Sequence, residues 1–161
     1  GAKTLGFTSQ GKLVPIRENE HTEIAELLGS HAKGKDGAAL ELVFLSGCHS
    51  ADLGSSIHNR GVPFVVCWKT TVHDEAAYLF TRGFFQSLGE QGVASDGEFK
   101  YDYKAAFAAG RTAVEAMTRP SRDGSRVPYF FLGDPDQEEK RGNRWAAGVP
   151  MLFAQAVVVL E

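Results

Sequence analysis

Cysteine is scarce in this sequence, which has only Cys48 and Cys67 and no CxxC pair. A disulfide scaffold and a zinc site are therefore not expected, and a reducing, cytoplasmic compartment is the default. No apolar run approaches the roughly 20 residues that a membrane-spanning helix needs. The opening segment GAKTLGFTSQGK lacks the charged-then-apolar pattern of a signal peptide. The sequence thus predicts neither a membrane protein nor a secreted, disulfide-rich one.

Neither sign of charge predominates in the sequence, because the formal net charge is only −3. Neither nucleic acid nor an anionic membrane surface is therefore expected as a partner. No Gly-rich phosphate loop follows a predicted strand, and we expect no cofactor and no metal ion. The length of 161 residues fits one domain, and we expect residues 1–161 to form a single one.

Short apolar strands alternate with amphipathic helices along the chain. An N-terminal hairpin is predicted from strands at 4–9 and 12–16, around a Gln10-Gly11 turn. The other predicted strands lie at 41–46, 61–68, 129–133 and 150–160, and the predicted helices at 20–29, from about 74 to 88, and at 101–117. Residues 119–128 are predicted to be a polar linker, and residues 137–161 a charged loop followed by a C-terminal strand. This pattern predicts an α/β fold with a mainly parallel sheet flanked by helices.

In a parallel sheet, reactive groups lie beyond the carboxyl ends of the strands. This rule selects three segments: Ser46–Ser50, Trp68–Asp74 and Gly133–Asp136.

The first of these segments carries the best candidate nucleophile, Cys48. Gly47 before it permits a tight turn, and Ser50 or Asp52 after it could begin a short helix through Ile57. A thiol beside a helix N-terminus meets partial positive charge and N–H groups, and both stabilise the thiolate. The same N–H groups, together with Gly47, could stabilise an oxyanion during acyl transfer.

The structural alternative is that Cys48 merely ends a core strand, since cysteine often behaves as a small hydrophobe. Cys67, inside FVVCW, is interpreted as inert packing. A tyrosine-phosphatase loop needs an arginine at position 54, where the sequence has Gly54. A papain-like enzyme needs a histidine far downstream of its cysteine, but His73 is the last histidine of the chain.

Four blocks of the sequence resemble the CHAT domains, which are caspase-like and separase-like cysteine peptidase domains often found next to TPR repeats. In chain order they are LELVFLSGCHS, GVPFVVCWKTTVHDEAAYLFTRGFFQSL, AAFAAGRTAVEAM and YFFLGDP, and the resemblance covers about residues 1–136. It implies a caspase-haemoglobinase fold in which Cys48 is the nucleophile of a Cys–His dyad. The family's histidine precedes the cysteine by roughly 50 residues. It would therefore lie before Gly1, so we expect an N-terminally incomplete domain with little or no activity by itself.

The histidines within the chain are weaker candidates for the base. His73 is the best substitute, because it follows the next predicted strand and reaches the same sheet edge. His31 is expected at the opposite edge, where it ends the first helix, and His49 is adjacent to Cys48 and should point to the other face. His21 and His58 are interpreted as surface residues.

Substrate choice is implied by the segment WKTTVHDE, which corresponds to a Trp–loop–Asp block of separase-like members. There an acidic residue receives a basic P1 side chain, and Asp74 is the matching position. Asp74 could instead only cap the next helix. Trp68 could wall a substrate groove or be a core aromatic residue, and Asp52 is a second acidic candidate.

Three functions follow as hypotheses. The first is the C-terminal part of a CHAT-type cysteine endopeptidase that cleaves a protein or peptide substrate, with a preference for basic P1 residues. The second is a non-catalytic CHAT-type module that interacts with TPR or other regulatory domains. The third is an unrelated flavodoxin-like ligand binder, which the absence of a phosphate loop disfavours.

Overall fold

The computed structural model describes residues 6–9, 12–15, 20–34, 37–91 and 101–154. These residues form four helices and ten strands, which confirms the predicted mixed α/β class. The chain divides into two compact units. The first unit contains residues 1–69 and 151–161, and the second contains residues 70–150.

The N-terminal strands of the first unit are β1 (Gly6–Ser9) and β2 (Lys12–Pro15). They pair antiparallel, with Phe7 opposite Val14. The predicted turn at Gln10-Gly11 lies outside the described residues.

A strand–helix–strand unit forms the centre of the first unit. Strand β3 (Leu42–Phe44) leads into helix α2 (Ala51–Asn59), which returns the chain to strand β4 (Phe64–Trp68). Strands β3 and β4 are parallel, so both carboxyl ends lie at one sheet edge. Strand β10 (Pro150–Ala154) flanks β4 on its other side.

Helix α1 (Glu20–Ser30) packs against α2 through a close backbone approach at Gly29. A Cβ atom at this position would lie 2.5 Å from the Cβ atom of Arg60. The predicted helix at 20–29 ends at Gly29, but α1 continues to Ser30. The glycine is therefore needed for helix packing and does not terminate the helix.

Two long helices, α3 (Asp74–Glu90) and α4 (Tyr103–Glu115), form the core of the second unit. Phe80 of α3 is fully buried, as the predicted apolar face requires. The helices approach closely at Gly110, where a Cβ atom would lie 2.9 Å from the Phe80 ring. Helical periodicity predicted both elements because each buries one stripe of its surface.

The predicted polar linker at 119–128 is wrong, because this segment is part of a β-hairpin. Strand β5 (Thr118–Pro120) pairs antiparallel with β6 (Arg126–Pro128). Asp123 organises the turn, since its carboxylate accepts hydrogen bonds from the Ser125 amide at 3.0 Å and hydroxyl at 2.7 Å. These hydrogen bonds hold the pKa of Asp123 below its usual value.

The charged part of residues 137–161 is also not a simple loop. Strands β8 (Lys140–Arg141) and β9 (Arg144–Ala146) form a second hairpin. Strand β9 also pairs in parallel with β7 (Phe130–Phe131). The predicted C-terminal strand is present as β10 up to Ala154, and residues 155–161 lie outside the described residues.

The prediction of one mainly parallel sheet is wrong. The strands form four small sheets of two or three strands each. Among the strand pairs with a described register, only β3–β4 and β7–β9 are parallel, and the other three pairs are antiparallel. The antiparallel pairs come from short hairpins. Their connections of two to five residues permit only antiparallel pairing. Within the described ranges, no helix combines the length and apolar character needed to cross a membrane.

Candidate functional site around Cys48

Cys48 lies in the turn that joins β3 to α2, and it is exposed. The parallel pairing continues one residue beyond β3, because the Leu45 amide donates to the Val66 carbonyl at 2.8 Å. The chain then turns through residues 47–49, and α2 begins with Ser50 as its N-cap. Cys48 thus follows the carboxyl end of a parallel strand and precedes a helix N-terminus, the arrangement that the sequence predicted.

Ser50 connects this turn to the neighbouring strand. Its side chain is fully buried, and its hydroxyl donates to the Gly47 carbonyl at 2.7 Å. The same oxygen accepts the backbone N–H of Trp68 at 3.0 Å. The Ser50 hydroxyl therefore supplies the hydrogen-bond partner of two main-chain groups, the Gly47 carbonyl and the Trp68 amide. The turn that carries Cys48 is fixed to the end of β4 in this way.

Sequence reasoning treated Ser50 only as a possible first residue of α2. Ser50 is the N-cap of α2, but its side chain makes no capping hydrogen bond to that helix. The available signal was a serine three residues after Gly47, the spacing at which a hydroxyl can bond back to a carbonyl. That signal does not show whether the serine caps α2 or bonds to β4, because its partner on β4, the Trp68 amide, is distant in sequence.

His49 gives the turn its unusual backbone. Its φ of 53° makes it the one non-glycine residue with a positive φ in the described part of the chain. Gly47, expected to supply the conformational freedom, is not among the described glycines with a positive φ. A left-handed histidine is uncommon and costs free energy, and such residues concentrate at functional sites.

The acidic candidate Asp52 is exposed in the first turn of α2. Its carboxylate lies near the positive end of the helix dipole, where it stabilises the helix. Trp68 occupies a core position, with only 1% of its surface exposed. Of the two interpretations weighed for Trp68, its burial supports the core aromatic residue.

Cys67 is fully buried in β4, which confirms its predicted packing role. A Cβ atom on Gly54 of α2 would lie 3.0 Å from the Cys67 sulfur. Burial raises the pKa of the Cys67 thiol to about 12, because the thiolate would lose its hydration there. The two cysteines therefore occupy opposite chemical environments.

The other two candidates, His73 and Asp74, belong to the second unit. Asp74 was expected as a possible N-cap of α3, but His73 is the N-cap and Asp74 is the first helical residue. The His73 Nδ1 atom accepts the backbone N–H of Glu75 at 3.3 Å, so the ring replaces the carboxylate as cap. Both side chains are exposed.

Two of the remaining histidines bond to main-chain carbonyls. His31 has Nδ1 2.9 Å from the Leu27 carbonyl, directly after α1, where the sequence placed it. His58 was expected at the surface, but its ring is half-buried and stacks on Phe153 with 5.9 Å between centroids. Its Nδ1 atom lies 2.9 Å from the Val62 carbonyl. The half-buried position of His58 follows from its place in α2, next to the fully buried Ile57.

No three His, Cys, Asp or Glu side chains converge as metal ligands would in the described ranges. Comparisons with protein-family models, with curated proteins and with solved structures find no match to this chain.

Proposed function

We propose that this chain is part of a CHAT-type, caspase-like cysteine endopeptidase domain with Cys48 as its nucleophile. The observation that carries the proposal is the position of Cys48, an exposed thiol between a parallel strand and the N-terminus of α2. The sequence blocks around it supply the family resemblance, which also implies the caspase-haemoglobinase fold.

In the proposed reaction, the Cys48 thiolate attacks the scissile carbonyl carbon and forms a tetrahedral oxyanion. Its collapse breaks the C–N bond and leaves a thioester on Cys48, while the amine departs with a proton from the general acid. Water then attacks the thioester, which releases the carboxylate and restores the thiol. Backbone N–H groups at Gly47 and at the start of α2 are the proposed oxyanion donors.

The proposed base is a histidine outside residues 1–161, as the resemblance implies. His73 is the substitute within the chain. Asp74, with Asp52 as a second candidate, is proposed to receive a basic P1 side chain, because a carboxylate pairs with a guanidinium or ammonium group.

A non-catalytic interaction module is the competing proposal. It is favoured by the main-chain hydrogen bonds of His31 and His58, which engage a ring nitrogen of each and reduce their suitability as a base. Such a module would bind TPR or other regulatory domains and would have no need of a Cys48 thiolate.

An arginyl acyloxymethyl ketone distinguishes the two proposals, because a peptidase thiolate displaces its carboxylate group and forms a stable thioether. We expect a longer protein that contains the proposed upstream histidine to be labelled at Cys48, the 161-residue chain to be labelled weakly or not at all, and Cys48→Ala not to be labelled. An aspartyl ketone of the same scaffold is the matched control and should label poorly. Absence of Cys48-dependent labelling in the longer protein would exclude the peptidase and leave the module.

A further inference from the structure

The second unit contains a pocket of about 290 Å³ beside the N-terminus of α3. The residues that line it include the aromatic residues His73, Tyr129 and Trp145 and the acidic residue Glu139. Val72 and Pro135 contribute apolar surface. All of these residues belong to the second unit, which does not contain Cys48.

Main-chain hydrogen bonds connect the segments that carry the three aromatic residues. The Trp145 amide donates to the Tyr129 carbonyl at 2.8 Å, so these two residues lie on directly bonded segments. The His73 amide donates to the Ala147 carbonyl at 3.1 Å. The His73 ring also packs edge-on against Phe130, with 5.0 Å between centroids. The backbone segments around the pocket are therefore joined directly to one another.

Two of these rings already hold cations of the chain, with which a ligand cation would compete. The Nζ atom of Lys140 lies 4.0 Å from the centre of the Trp145 ring. The guanidinium carbon of Arg119 lies 4.8 Å from the centre of the Tyr129 ring. Both distances fall within the range in which the negative face of an aromatic ring stabilises a positive charge.

The acidic residues next to the pocket have different partners. Glu138 forms two hydrogen bonds with Arg141, at 3.1 and 2.7 Å. Glu139 lines the pocket, and its carboxylate has no ion pair within the described part of the chain. The main chain of Glu139 is held by a hydrogen bond of 2.9 Å from the Ala146 amide. Among the described residues that line the pocket, Glu139 is thus the one acidic residue, and its side chain is exposed.

We propose that this pocket binds an organic cation that carries a trimethylammonium group. Aromatic rings with one carboxylate favour such a group, because it offers apolar methyl surface together with a positive charge and has no N–H group to donate to an acceptor. The volume suits a ligand of a few heavy atoms, since pockets for drug-sized molecules begin at about 300 Å³. The site is independent of the proposed peptidase chemistry.

The test uses the 161-residue chain, choline chloride and 3,3-dimethylbutan-1-ol, which is the neutral carbon analogue of choline. Binding is followed by tryptophan fluorescence and by NMR at matched ionic strength. We expect saturable binding of choline with a dissociation constant on the order of 10 mM or tighter. The neutral alcohol should bind about tenfold more weakly. Equal binding of both compounds, or no saturation with choline, would overturn the proposal.

Variants that change the charge of the pocket test the sign of the ligand's charge. Glu139→Gln should weaken choline binding about tenfold, and Lys140→Met should strengthen it, because one change removes an attraction and the other a repulsion. Glu138→Gln is the matched control and should bind like the original chain. An unaffected Glu139→Gln variant, or weaker binding by Lys140→Met, would contradict a cation site.

A peptide containing trimethyllysine, compared with the same peptide containing lysine, identifies the source of the group. Selective binding of the methylated peptide would assign the pocket to modified proteins, and binding of choline alone would assign it to free small molecules. Choline binding should persist in Cys48→Ala, so failure of the peptidase proposal leaves this result intact.

Discussion

Iodoacetamide at pH 8 is expected to alkylate Cys48 of the folded chain at least ~1000-fold faster than Cys67. Cys48 is exposed, whereas Cys67 is fully buried in β4. Burial raises the pKa of Cys67 to about 12. A thiol with that pKa is ionised in only about one molecule in 10⁴ at pH 8, and alkylation requires the thiolate.

The measurement is intact-mass spectrometry over time, followed by peptide mapping of the modified cysteine. In denaturant the two cysteines should react at similar rates, which is the internal control. Cys48→Ala should remove the fast phase completely. Two fast thiols in the folded chain would show that Cys67 is not protected, and two slow thiols would show that Cys48 is inaccessible.

Ser50→Ala is expected to lower the free energy of unfolding by roughly 2 to 3 kcal/mol. The substitution leaves the Gly47 carbonyl and the Trp68 amide without the hydroxyl that now serves both. A buried polar group without its partner loses its hydration and gains nothing in return. Urea denaturation measures the effect.

Ser46→Ala is the matched control, since Ser46 is exposed in the same segment and its loss should change stability by less than about 0.5 kcal/mol. The Ser50→Ala variant should also change the alkylation rate of Cys48, because the turn is no longer fixed to β4. Equal stability of the two variants would show that Ser50 does not hold the turn.

Much of the fold could be predicted because periodicity and apolar runs report directly on burial. The strand that contains Cys67 is an unbroken apolar run and is almost completely buried. The hairpins at 118–128 and 140–146 could not be found in this way, because their strands are only two or three residues long. Their contacts include the turn hydrogen bonds at Asp123 and Lys140 above the Trp145 ring, which local hydrophobicity does not record.

The candidate site was predictable to a similar degree. Cys48 was found because a strand end followed by Gly-Cys and a helix start is a local pattern. The double role of Ser50 depends on Trp68, which only the folded chain brings near. The capping of α3 by His73 also escaped prediction, since aspartate is the more usual cap and Asp74 stands next to it.

Hydrolysis of an arginyl peptide amide tests the role of Cys48 most directly. If the proposed peptidase function holds, a longer protein that contains the proposed upstream histidine should release the amine, and Cys48→Ala should lower its kcat/KM at least ~1000-fold, because without the thiol no thioester forms. A Cys48→Ala protein that still hydrolyses the peptide at the original rate would contradict Cys48 as the nucleophile.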